Sequence, residues 1–228
     1  MKKFISVILI IVFLYLANVP TFSFYNDENI FYCHKNNSQK IALTFDDGPH
    51  PRYTRKILDI LKKYDVKATF FVIGQNVECY PGIVEQIIAE GHEIGNHTYR
   101  HKHTKILTDE IFEEDVSMCD SFIYEKCDYE LKLFRPPEGY VDEKVKKTAK
   151  DLGYSIILWN IDTKDWAHAT PYQIEKNVIN NISAGDIILM HDYVSGSNST
   201  LEALERIIPK LLDENYKFVK VSELIKND

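Results

Sequence analysis

The chain has 228 residues, of which 45% are hydrophobic and 27% charged. That mixture is enough for one sizeable core. A formal net charge of −7, with no long basic stretch, argues against a nucleic-acid partner.

In chain order, Lys2-Lys3 precede an apolar run from Ile5 to Ala17. The run is short for a membrane span and has the flanks of an export signal. No clean Ala-x-Ala site follows; a cleaved signal would end near Thr21 to Ser23, and an uncleaved anchor is equally open. Residues 1–23 therefore read as an export signal or an N-terminal anchor, and the rest is expected to work outside the cytoplasm, secreted or membrane-attached at the cell envelope. Residues 24–38, polar and rich in Asn, read as a linker. The fold is expected over residues 39–226.

Seven short apolar runs read as strands: 40–45, 68–73, 92–95, 131–134, 155–159, 186–190 and 216–219. Between them, helical spacing marks 55–64, 82–90, 108–126, 142–152, 172–182 and 200–214, with Ile57, Leu58 and Leu61 forming one stripe. Thr108 suits an N-cap, Pro171 a first turn, and Gly91 and Gly153 suit helix ends. Strands alternating with helices imply parallel pairing through crossover helices. The predicted architecture is a distorted α/β barrel of about seven parallel strands.

Four cysteines (Cys33, Cys79, Cys119, Cys127) include no Cys-x-x-Cys pair. Cys119 and Cys127 share a predicted helix. Eight residues at ~1.5 Å rise separate them by about 12 Å, too far for a disulfide.

In such barrels the chemistry gathers at the C-terminal ends of the strands. Asp46-Asp47 follow the first strand. Asn96, His97 and His101 follow the third, and Arg135-Pro-Pro-Glu-Gly139 the fourth. Asp162, Asp165 and Trp166 follow the fifth, and His191-Asp192 the sixth. Two adjacent carboxylates after an apolar run repel each other unless a cation holds them. His97 and His101, four residues apart, fall on one face of a helical turn and can share that cation. Spacing does not choose between His101 and His103. Two imidazoles with Asp47 make a three-ligand site with an open position.

Five strings occur in order across residues 44–191: TFDDGP, HTYRH, RPPEG, DTKDW and LMH. They resemble the five motifs of the polysaccharide deacetylases, carbohydrate esterase family 4, the nodulation-protein-B homology domain. The family includes peptidoglycan N-acetylglucosamine deacetylases, chitin deacetylases and acetylxylan esterases. The resemblance implies that Asp47, His97 and His101 hold one divalent transition metal, zinc first and cobalt second. It implies Asp46 as catalytic base, Arg135 as its partner, His191 as general acid and Asp165 as the carboxylate that orients His191. It also implies Trp166 and Leu189 as apolar walls beside the acetyl group. The expected reaction is metal-dependent removal of acetyl from N-acetyl amino sugars of a cell-wall polysaccharide, peptidoglycan or chitin-like, by a monomer.

Glu138 departs from the family, where Tyr is common. The resemblance makes its backbone N–H an oxyanion donor, and its side chain is expected to face solvent or substrate. A branch acting on N-acetylmuramic acid often carries Asn in place of the metal Asp, and Asp47 leans away from it. Two other readings stand beside the main one: an O-acetyl esterase on a glycan such as xylan, and an inactive carbohydrate-binding homologue. Tyr99, Tyr140, Trp166 and Tyr193 are candidates for sugar stacking, or ordinary rim and core aromatics.

Overall fold

The structure, a computed structural model, describes residues 29–35 and 38–226. The segment read as an export signal or anchor lies outside the described residues.

Nine strands are present among them: β1 (Ile30–Phe31), β2 (Lys40–Gly48), β3 (Thr69–Val72), β4 (Glu93–Asn96), β5 (Leu133–Phe134), β6 (Ser155–Ile157), β7 (Ile161–Asp162), β8 (Ile187–His191) and β9 (Lys217–Phe218). All their ladders are parallel, as the crossover helices require. Eight follow one path, β1-β6-β5-β4-β3-β2-β8-β7, and β9 pairs with the start of β2. Among the described residues no ladder joins β1 to β7, so the sheet curls into an incompletely closed barrel.

The helices are α1 (Tyr53–Lys63), α2 (Gly74–Cys79), α3 (Pro81–Ala89), α4 (Asp109–Cys127), α5 (Glu143–Asp151), α6 (Pro171–Ile179), α7 (Ser199–Asp213) and α8 (Val221–Leu224). The predicted punctuation is present. Thr108 Oγ1 accepts the Ile111 N–H at 3.4 Å, Pro171 opens α6 behind a Thr170–Gln173 capping box, and Gly91 and Gly153 follow α3 and α5 with φ of 81° and 75°.

All seven predicted strands and six predicted helices are found, with shifted ends. Two strands are additional. β1 lies inside the stretch read as linker and pairs with β6. β7 follows a break at Leu158–Asn160 and pairs with β8. Two residues are too few to show a period of two, which is why the expected count of about seven was low. α2 and α8 were missed for the same reason of length. All four cysteines are free thiols.

Alternation along the strands separates two layers. Ile41, Leu43 and Phe45 of β2, with Phe70 and Val72 of β3, pack outward against helices that include the Ile57–Leu58–Leu61 stripe. Ala42, Phe71, Leu133, Ile157 and Ile187 turn into the barrel. Burial on both faces explains why β2 reads as a nearly continuous apolar run. By the same period of two, Thr44 and Asp46 follow Ala42 inward, and Leu189 and His191 follow Ile187. β2 and β8 pair in register, with Asp46 beside His191. The topology thus delivers an acid and a histidine side by side at the inner rim.

Candidate active site

Strand neighbours normally face opposite sides, so Asp47 should point away from Asp46. It does not, because the ladder slips there. Asp46 pairs with Phe71 and Gly48 with Val72, leaving Asp47 as the extra residue of a bulge with φ 71°. The bulge turns both carboxylates toward one histidine. His97 Nε2 lies 3.5 Å from Asp47 Oδ1 and 3.7 Å from Asp46 Oδ2.

His101 Nε2 stands 3.3 Å from the same Asp47 oxygen. One ligand atom from each of Asp47, His97 and His101 lies within 4.8 Å of the others, so the three can hold a metal ion. The donor set fits such an ion on two further counts. Asp47 Oδ1 is buried and has no hydrogen-bond partner, a state that is expensive unless a cation takes it. His97 Nδ1 sits 2.7 Å from the Arg135 carbonyl, which makes Nδ1 the protonated nitrogen and leaves Nε2 as the lone-pair donor facing the carboxylates.

The local field agrees. Burial pushes the Asp47 carboxyl up, but the close approach of His97 and the charges of His97, His101 and His191 bring it down to about 2. Burial disfavours a charged His97, and Asp46 and Asp47 overcome it, raising its pKa. The same negative pair attracts a divalent cation. Burial and then the His97 charge lower the pKa of His101, keeping its ring neutral and fit to ligate.

Behind Asp46 lies Arg135, fully buried. Its Nη1 donates to Asp46 Oδ1 at 2.6 Å and to Thr44 Oγ1 at 2.9 Å. Its Nε and Nη2 donate to the carbonyls of Ile157 and Leu158, both at 3.0 Å. The Phe71 ring covers the guanidinium at 4.1 Å. Every side of the cation is occupied, so Asp46 is held by a fixed partner.

His191 has its own support. Asp165 Oδ1 lies 2.8 Å from its Nδ1, and Asp165 Oδ2 accepts the His191 backbone N–H at 2.7 Å. Thr200 and the Trp166 N–H complete the Asp165 shell at 3.0 and 2.8 Å. Burial opposes charge on His191, but the hydrogen bond and charge of Asp165, with Asp46 and Asp47 behind, hold it up at about 9. The imidazole is thus a protonated acid at neutral pH, with Nε2 free to donate.

The remaining predicted residues divide. Leu189 is buried one pleat below His191. Trp166 is 51% exposed, with its indole N–H on Asp162 at 3.2 Å, as a rim residue should be. Tyr193 is exposed and stacks on His50 at 4.3 Å. Of the two readings open for Tyr99 the core one holds: it is buried, stacked on Phe122, and its hydroxyl donates to Glu78 at 2.6 Å. Tyr140 is partly buried beneath the Lys105 ammonium. His103 is not with the other histidines; its Nδ1 is 2.6 Å from Glu138 Oε1.

Asp47, His101, Glu138 and Lys164 all hold positive φ without being glycine. Such conformations disfavour L-residues and gather where a site imposes them.

Sequence reasoning gave Asp192 no role, yet it is a notable buried group. Its N–H donates to the Asp46 carbonyl at 2.9 Å, and its Oδ2 accepts the Thr54 hydroxyl at 2.6 Å. A Cβ on Gly48 would come within 1.9 Å of that oxygen, which is why glycine follows the two aspartates. Burial, then the Asp47 charge, pushes the Asp192 acid up to about 7 against the Thr54 hydrogen bond. Its position directly after His191 was the available signal.

A sequence profile described as "Polysaccharide deacetylase" matches residues 34–157. The peptidoglycan-N-acetylglucosamine deacetylase of Bacillus cereus is 45% identical over 193 residues, 84% of this chain and 90% of that protein. Among solved structures, the Bc1960 peptidoglycan N-acetylglucosamine deacetylase superposes with a TM-score of 0.83 at 35% identity, covering 88% of this chain and 94% of that one. A family pseudoenzyme from Bacillus anthracis superposes with a TM-score of 0.80 at 32% identity, covering 86% and 69%. On the profile, the identity and the shared fold, the chain belongs to the polysaccharide deacetylase family.

Proposed function

We propose that this enzyme removes acetyl groups from the N-acetyl amino sugars of peptidoglycan, outside the cytoplasm, as a monomer directed there by residues 1–23. The observation that carries the reading is the pairing of Asp46 and His191 around the Asp47–His97–His101 cluster, each with a dedicated partner. A pure carbohydrate binder has no use for that set. The relatives named for peptidoglycan N-acetylglucosamine support the substrate.

A divalent transition ion, zinc first and cobalt second, held by Asp47, His97 and His101 supplies the Lewis-acid chemistry that amide hydrolysis needs. Asp46 takes the proton of the attacking water, and Arg135 keeps that carboxylate aimed. The Glu138 N–H donates to the developing oxyanion. His191 gives its Nε2 proton to the departing nitrogen, and Asp165 holds the resulting neutral ring in place. Leu189 and Trp166 flank the acetyl methyl. A well-placed acid or base contributes about 10²–10⁴-fold.

The test is mass spectrometry of peptidoglycan and chitin oligomers, with acetylated xylan as the esterase arm, after incubation with the metal-loaded full chain with and without chelator. Loss of N-acetyl groups, abolished by chelator, is expected. Release of acetate from xylan alone, or from none of the three, would overturn the reading.

A further inference from the structure

The segment after β4 carries both histidines of the cluster, and the segment after β5 carries Arg135. Two bridges borne by histidines join them, beside the more distant Lys144 ammonium, which donates to the Thr104 and Leu107 carbonyls at 2.8 and 2.7 Å. The inner one is buried: His97 Nδ1 to the Arg135 carbonyl at 2.7 Å. The outer one is exposed: His103 Nδ1 to Glu138 Oε1 at 2.6 Å. His101 lies between these two ties.

His101 needs such a bracket more than His97 does. Its side chain is about a third exposed, against 2% for His97. Its backbone sits at φ 49°, in the left-handed region, so a released segment would relax away from it. Its backbone N–H is tied to Thr98 Oγ1 at 3.1 Å, within the same segment. That bond shapes the turn, and Thr98, Tyr99 and Arg100 anchor its start to α2 and α4; the His103 bridge holds the far side of His101. The Glu138 backbone, at φ 60°, is in the same region. Two strained turns therefore lean on each other across the rim.

We infer that the His103–Glu138 pair is an outer clamp that positions His101, and so sets how tightly the Asp47–His97–His101 site holds its metal. His103 and Glu138 are positioning residues: neither joins the cluster. The clamp needs only an Nδ1–H donor and a carboxyl or amide oxygen, so it works with a neutral imidazole. Partners beyond the ligands themselves typically change metal affinity 10–100-fold when they bond a ligand directly. This pair acts one step further out and is exposed, so about fivefold is expected.

The inference rests on the metal site of the proposed function, and it is tested without any substrate. Zn2+ is titrated into the metal-stripped full chain in competition with a chromophoric chelator. His103→Ala and Glu138→Ala should each weaken Zn2+ binding about fivefold, and the double variant should be no weaker than either. Glu138→Gln, which keeps the acceptor, should stay within twofold of the parent. Unchanged affinity in both alanine variants, additive losses, or failure of Glu138→Gln to rescue would overturn the clamp. Loss of all Zn2+ binding in His103→Ala alone would overturn it too, by making His103 a ligand. If the parent binds no Zn2+, the metal site fails and the clamp with it. A parent that binds Zn2+ but hydrolyses nothing leaves this test fully readable.

Discussion

Replacing Arg135 by Met tests how the candidate base is held. The guanidinium is fully buried and makes four hydrogen bonds, to Asp46, Thr44 and the carbonyls of Ile157 and Leu158. Removing one partner of a buried ion pair costs roughly 3–5 kcal/mol, because the remaining charge is uncompensated. The two carbonyls lose their donor as well, at ~1–3 kcal/mol each if they stay dry. Relaxation and water entry will share these terms, so about 4 kcal/mol is expected, a large part of a typical total of about 5–15 kcal/mol. The informative step is the second substitution. Asp46→Asn in the Arg135→Met background removes the stranded charge and should return at least ~1 kcal/mol. Urea unfolding of the parent and both variants at pH 7, at equal metal occupancy, measures both steps. If Arg135→Met lies within about 1 kcal/mol of the parent, or if Asp46→Asn deepens the loss, the pair is not a buried support.

Four further outcomes are expected. The His97→Ala, His101→Ala double variant should lose its bound ion by elemental analysis, and full occupancy would move the site elsewhere. The rate should fall as pH rises through about 9, where His191 loses its proton; Asp165→Asn should bring that limb down by at least about one unit, and an unmoved limb would remove Asp165 from its role. The His191 charge also contributes stability that is complete below its unfolded value of 6.5 and lost as pH rises through about 9. Asp192 acts in the same direction as His191, the reverse of the usual carboxyl. Its folded value of about 7 lies above the ordinary 3.8, so the native state binds the extra proton and stability falls as pH rises from about 4 to about 7. Three units correspond to roughly 4 kcal/mol, and Asp192→Asn should flatten that slope in a pH series of urea unfolding curves.

The legible parts of this protein were those with many residues behind them. β2, β3 and β8 stand out because burial on both faces makes them apolar throughout, and α4 and α7 because several turns repeat one stripe. β1 and β7 have two residues each and no pattern to read; they exist because neighbouring strands offer them a free edge. The site was legible for a different reason. Asp46, Asp47, His97, His101, Arg135, Asp165 and His191 are residue types that ordinary turns do not need in that order, and each sits where a strand ends. What the sequence did not carry was distance across the rim. Tyr99 could be a rim or a core aromatic by its sequence, and only its packing on Phe122 decides for the core. His103 was as good a ligand as His101 by spacing, and the fold places it beside Glu138, outside the cluster. Thr200 and Asp192 support the site from far along the chain or from behind it, where local pattern is silent.

Two adjacent aspartates at one site would be a contradiction in a regular strand. Alternation would bury one beside the other residues of the barrel interior and turn the other out toward the helices. The one-residue slip at Asp47 resolves this, and the rest of the rim depends on it. With Asp46 still in register, its carboxylate stays beside His191 and in the grip of Arg135. With Asp47 out of register, its oxygen reaches His97 and His101 and stays clear of the buried arginine. The next residue then has no room for a side chain, because Asp192 fills the space above Gly48. One backbone irregularity therefore separates a carboxylate held by an arginine from a carboxylate left for a cation. That separation leaves two chemically identical groups, one peptide bond apart, in different surroundings.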